Sequence, residues 1–171
     1  MIDGLIKIST FLQENNAVFI GLSVVLGLVI GSFLNVVTYR LPKMMQREWQ
    51  NNCLELQGQP VADVKQYSLV KPRSACPHCG HMFSALENIP VISYVILKGQ
   101  CRICKAPINP RYLLIEALTG MLFGFISWKF GCTNNALFAA IFTSALIALS
   151  FIDFDTQLLP DDITLPLLWL G

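Results

Sequence analysis

A mainly α-helical, polytopic membrane fold is what this sequence predicts, and three observations carry that reading. Only 13% of its 171 residues are charged, against 54% hydrophobic, whereas a soluble domain carries about 25% charged residues. The deficit is concentrated in long uncharged runs. Between the first two runs lies a loop that holds most of the basic residues and two pairs of cysteines.

The opening stretch, residues 1–16, reads MIDGLIKISTFLQENN. It lacks the basic start of a signal peptide, and the apolar run behind it is longer than a signal peptide's core. It is read as an interfacial segment outside the membrane. Between Glu14 and Arg40 there is no charge, and Ala17 to Val37 supplies the roughly 20 apolar residues a spanning helix needs. The first transmembrane helix is therefore placed at 17–39. A second, YLLIEALTGMLFGFISWKF, is placed at 112–130 and contains Glu116; a third, NALFAAIFTSALIALSFI, at 135–152. Residues 163–171, ITLPLLWLG, turn apolar again and read as the start of a fourth helix.

Basic residues set the orientation. Ten of the twelve Lys and Arg fall between Arg40 and Arg111, so the 40–111 loop is expected on the cytoplasmic side. The N-terminus is then periplasmic, and the loop at 153–162 is cytoplasmic. Net charge is +1, which gives no reason to expect nucleic acid; the expected surroundings are a lipid bilayer.

The loop contains CPHCG (Cys76, Cys79) and CRICK (Cys101, Cys104). Two C-x-x-C pairs roughly twenty residues apart have the spacing of a four-cysteine zinc site. Four protein ligands leave no open position for water, so such a zinc is structural. Disulfides fit poorly with a reducing compartment, and a single redox pair does not explain the repeat. His78 and His81 are read as bystanders, and Cys53 and Cys132 as small apolar residues. A loop with few apolar periodic runs gains folding free energy from a metal. The polar stretch from Met44 to Gln66 is expected to be flexible or helical. ENIPVISYVIL, Glu87 to Leu97, is expected as a strand beside the metal or an amphipathic segment on the membrane.

FIDFDTQLLPDD, Phe151 to Asp162, places four carboxylates after the third apolar run. Asp161 and Asp162 fit a turn and the start of a helix, where acids favour the dipole. Asp153 follows Ile152 directly, and an ionisable group there is costly and often functional. Asp153 and Asp155, two apart, do not face each other on a helix. Glu116 reads at least as well as a partner for an Arg or a polar contact between helices as it does as a catalytic acid.

Three stretches resemble the type IV prepilin peptidases: GSFLNVVTYRLP (Gly31 to Pro42); CPHC with ENIPVISYVILKGQCRICKAPINPRYLLIEALTG; and FIDFDTQLLPDDITLP. The resemblance implies a polytopic inner-membrane aspartic endopeptidase. Such enzymes cut the leader from prepilins and pseudopilins on the cytoplasmic side and N-methylate the new terminus with S-adenosylmethionine. It implies Asp153 as the first catalytic aspartate and Cys76, Cys79, Cys101 and Cys104 as zinc ligands, and it assigns no methyl-donor site. The family's second aspartate sits in a Gly-x-Gly-Asp motif that these 171 residues do not contain. The chain is therefore expected to be a C-terminally truncated first half, inactive alone. Leu113 departs from the Pro usual there. The alternative is a non-catalytic, membrane-anchored zinc module that docks a secretion or pilus-assembly partner.

Overall fold

The computed structural model describes residues 15–59, 68–71, 74–76, 78–84, 87 and 89–170. The expected interfacial segment at the N-terminus lies almost wholly outside them. The described chain is mainly helical: α1 Asn16–Leu56, α2 Ile92–Ile96, α3 Arg111–Phe130, α4 Asn134–Thr156 and α5 Asp161–Leu170. By length and composition α1, α3 and α4 are each long and apolar enough to cross a membrane.

Helix α1 does not end where its apolar stretch does. Its 41 residues extend about 60 Å at 1.5 Å per residue, twice the roughly 30 Å of a hydrocarbon core. It continues through Pro42 because the segment behind it is rich in Met, Gln, Glu, Arg and Leu, which favour helix. The polar insertion expected from Met44 is thus helical as far as Leu56. Buried Arg40 donates to the Ser68 and Leu69 carbonyls at 3.0 and 3.3 Å, tying the chain back against α1.

The bundle rests on a close approach of α1 and α3. Each carries two glycines four apart, Gly27 and Gly31 on α1, Gly120 and Gly124 on α3. A Cβ added at Gly27 would lie 2.8 Å from the Phe123 Cβ and 2.9 Å from the Gly120 Cα; at Gly31 it would lie 2.8 Å from the Glu116 Cα. Small residues at this spacing let two backbones meet where lipid offers no hydrophobic drive. Leu34, Ile115, Ile147 and Ala148, drawn from all three long helices, form the buried cluster. On α1 the opposite stripe, Val18, Leu22, Val25, Val29 and Phe33, is exposed and suits contact with lipid tails.

The Ile92–Ile96 stretch is a helical turn, not a strand. Val95 and Leu97 donate to the carbonyls four residues back, Val91 and Ser93. Ile92, Val95 and Ile96 share an exposed apolar face at helical spacing.

Helix α4 runs to Thr156, so Asp153 stands on its last turn and the following loop begins at Gln157, which has φ +53°. Gly31→Ala should destabilise the bundle by about 1–3 kcal/mol through overpacking. Gly21→Ala, whose Cβ would meet nothing within 4 Å, should not. Thermal unfolding of both variants in one detergent checks the contrast.

Candidate functional site

The four loop cysteines converge. One sulfur from each lies within 4.8 Å of all the others, with Cys76–Cys104 at 3.7 Å and Cys79–Cys101 at 3.9 Å. A disulfide needs about 2.05 Å, and these thiols are free. Four thiolates about 2.3 Å from one ion in a tetrahedron stand about 3.8 Å apart, so the donor set and its spacing fit a zinc-like ion. Neither histidine joins the cluster: His78 is exposed, while His81 pairs with Glu87 at 3.3 Å. His81 thus stands apart from the sulfurs, as expected, and pairs with Glu87 instead.

The convergence comes from one turn used twice. Cys76 N–H donates to the His81 carbonyl and Gly80 N–H to the Cys76 carbonyl; Cys101 N–H donates to Ala106 and Lys105 N–H to Cys101 in the same pattern. Outside each turn, Phe83 bonds Ser74 as Ile108 bonds Gly99, and bridges join Ala75 to Met82 and Gln100 to Pro107. The fifth position of each turn is left-handed, φ +71° at Gly80 and +58° at Lys105. Glycine takes that conformation freely, whereas Lys105 adopts it against a Cβ penalty.

The turns also polarise the thiols. The N–H groups of Cys79 and then His78 point at the Cys76 sulfur and lower its pKa to about 7. The N–H groups of Cys104 and then Ile103 likewise lower the Cys101 thiol below its ordinary value. At Cys104 the Ala106 N–H favours the thiolate, but burial and the neighbouring sulfurs outweigh it and push the thiol up to about 11.

Ser84 and Glu87 brace the first turn. The Glu87 carboxylate accepts from the Ser84 N–H and hydroxyl, both at 2.9 Å, and the Ser84 hydroxyl accepts from the Glu87 N–H. This is the reciprocal pairing of a capping box, and the S-x-x-E spacing is its visible signal in the sequence. The Ser84 N–H, then its hydroxyl, hold the Glu87 carboxyl below its ordinary 4.5.

Glu116 joins the module to the helices. It is buried in α3, its Oε2 accepts from the Val91 N–H at 2.7 Å, and the Asn35 amide on α1 reaches its Oε1 at 3.5 Å and the Tyr112 carbonyl at 3.1 Å. Of the sequence readings, the polar contact between helices is the one observed. Val91 itself sits at φ +61°, a strained conformation for a β-branched residue.

At the same end of the bundle, α4 delivers the carboxylates. Asp155 makes an ion pair with Arg111, the first residue of α3. Arg111 also donates to the Phe151 carbonyl at 3.3 Å and lies over the Phe151 ring. Asp153 is exposed on this last turn, with Asp161 and Asp162 in the first turn of α5. Arg111 was missed by sequence reasoning: its partner is 44 residues away and no local pattern marks it.

Spanning helices with a four-cysteine module seated on their ends define a multi-span membrane protein carrying a thiolate-rich loop domain. The chain belongs to the bacterial peptidase A24 N-terminal domain family, whose model matches residues 25–130; the type IV leader peptidase family model matches 140–171. It is 49% identical over 164 residues to a prepilin leader peptidase/N-methyltransferase of Stutzerimonas stutzeri, covering 94% of this chain and 56% of that one. Proteins with the same name from Burkholderia pseudomallei strain 1026b and Neisseria gonorrhoeae are 52% and 49% identical. Those matches cover 87% and 88% of this chain, and 49% and 53% of theirs. The chain thus spans about half the length of the curated relatives it matches. No solved structure matches it.

Ser84→Ala should raise the Glu87 pKa toward 4.5. The stability this carboxylate contributes is present above its ordinary pKa and is lost as pH falls through the lowered value. A carboxyl carbon-13 titration of wild type and variant checks the shift.

Proposed function

We propose that this chain is the N-terminal part of a membrane aspartic endopeptidase that removes the leader of type IV prepilins and pseudopilins and methylates the new N-terminus. The observation that carries the reading is Asp153, exposed on the last turn of a helix otherwise uncharged up to that residue. Its neighbour Asp155 is committed to Arg111, which leaves Asp153 as the acid presented for chemistry. The names of the half-identical relatives supply the reaction.

In such a reaction two carboxyls share a proton around one water: one draws a proton from the water as it attacks, the other polarises the scissile carbonyl. Asp153 supplies one carboxyl. The second is proposed to come from outside these 171 residues, so the chain alone is expected to lack cleavage. Arg111, by holding Asp155 and the Phe151 carbonyl, fixes the turn that aims Asp153.

The proposed orientation places the module and Asp153 on the cytoplasmic face of a bacterial inner membrane, with the N-terminus periplasmic. The positive charge of the 40–111 loop supports this. Cys76, Cys79, Cys101 and Cys104 would hold a structural zinc, and S-adenosylmethionine would supply the methyl group.

In the full-length enzyme, Asp153→Asn should lower prepilin cleavage by at least about 10²-fold while membrane insertion is retained; normal cleavage by this variant would sink the assignment. Asp155→Asn should cleave measurably better than Asp153→Asn. Protein purified without chelator should carry about one zinc per chain, and Cys76→Ser should lose most of it. Because protons compete with metal for the thiolates, zinc release to a chromophoric chelator should increase as pH falls.

A further inference from the structure

Helix α2 is built inside out for a segment in water. Ser93, Tyr94 and, just past its end, Leu97 are half-buried and line a cavity of about 580 Å³ between the module and the adjoining ends of α1 and α3. The Tyr94 hydroxyl donates to the Ile108 carbonyl at 3.4 Å. The other three residues of α2, Ile92, Val95 and Ile96, are 54%, 64% and 72% exposed. A serine and a tyrosine thus face inward while every aliphatic residue of the helix proper faces out, the reverse of the usual order. We propose that α2 is an interfacial anchor: its Ile92, Val95 and Ile96 face enters the bilayer where headgroups meet acyl chains, and Lys98 and Lys105 bind anionic phospholipid headgroups. This goes beyond the function proposed above and rests on the membrane spans, not on the peptidase reading.

Attachment to the spanning helices sets the depth of α2. The N–H of Val91, the residue before α2, donates to Glu116 at 2.7 Å. Glu116 stands five residues past Arg111, the start of α3, which is about 7 Å along the axis at 1.5 Å per residue. It also meets Asn35, which lies inside the uncharged stretch of α1 between Glu14 and Arg40. The tether therefore lies within the apolar runs of both helices and not in the water beyond them. An amphipathic helix lying in the interface buries its apolar face about 5–10 Å into the boundary of headgroups and acyl chains, which matches this level.

Charge selects the lipid. Between Glu87 and Glu116 the chain has four basic residues, Lys98, Arg102, Lys105 and Arg111, and no acid. Arg111 is taken by Asp155, and Arg102 lies 4.0 Å from Glu87. Lys98 and Lys105 are exposed and make no ion pair among the described residues. Lys98 follows Ile96 by two positions, and a lysine stem can lie along apolar surface while its ammonium stays at the headgroups. Anionic headgroups attract such cations; a neutral lipid or a purely apolar protein surface would leave both without a counter-charge.

The test uses the full-length, zinc-loaded protein in nanodiscs of phosphatidylcholine with and without phosphatidylglycerol. The photocrosslinker p-benzoylphenylalanine replaces Ile96 or, as a control, exposed Gln50 on the part of α1 past its apolar run, and adducts are identified by mass spectrometry. Phospholipid adducts are expected at position 96 and not at 50, with phosphatidylglycerol over-represented about threefold or more relative to its share of the lipid. Lys98→Gln combined with Lys105→Gln should abolish that over-representation while the zinc content and the lipid adduct remain. Adducts from position 96 to residues beyond 171 would mean that the rest of the protein covers this face. Adducts to added prepilin would make it a substrate surface, and no adduct would leave it open to water. Each of these three outcomes overturns the anchor, and an unchanged preference for phosphatidylglycerol in the lysine variant overturns the role of the two lysines.

Discussion

Glycine-lined contact between α1 and α3 is the constraint from which the rest of this structure follows. With Gly31 against the Glu116 backbone and Gly27 against Gly120, the two helices run close enough for side chains at their shared end to form one polar network. Glu116 then reaches Asn35 across the interface and Val91 beyond it. A buried carboxylate in an apolar bundle is costly unless its hydrogen bonds are satisfied. Here each donor comes from a different element, so satisfying Glu116 also seats the module on the helices.

The module itself has little apolar core. Its order comes from a repeated turn, the capping box of Ser84 and Glu87, and four sulfurs gathered near the positions a tetrahedral ion demands. Once each turn is closed, the N–H groups inside it, those of Cys79 and His78 in the first and of Cys104 and Ile103 in the second, lower the pKa of its first thiol. Cys76 and Cys101 are buried while Cys79 and Cys104 are exposed, which puts the cluster at the module's surface.

The two acids near the end of α4 differ only in what the fold places beside them. Asp155 meets Arg111; Asp153, two residues earlier on the same turn, is exposed. Because Arg111 opens α3, the glycine contact that positions α3 also decides which carboxylate is neutralised.

Much of this was written in local pattern. The uncharged runs gave the three spans, since only apolar helices of about 20 residues satisfy a bilayer. The C-x-x-C spacing gave the sulfur cluster, because a knuckle is a local turn whose ligands are fixed within a few residues. Asp153 stood out because a charge directly after Ile152 is expensive. Other features were decided only by tertiary structure. Ile92–Ile96 is a helical turn, and Glu116, 25 residues beyond Val91, takes the N–H of the residue that precedes it. The 41-residue length of α1 outran its apolar stretch, since helix propensity continues where hydropathy stops. The Arg111–Asp155 pair and the cavity above α1 and α3 join residues tens of positions apart. Their partners are chosen by how closely the helices pack, and no window of sequence contains that distance.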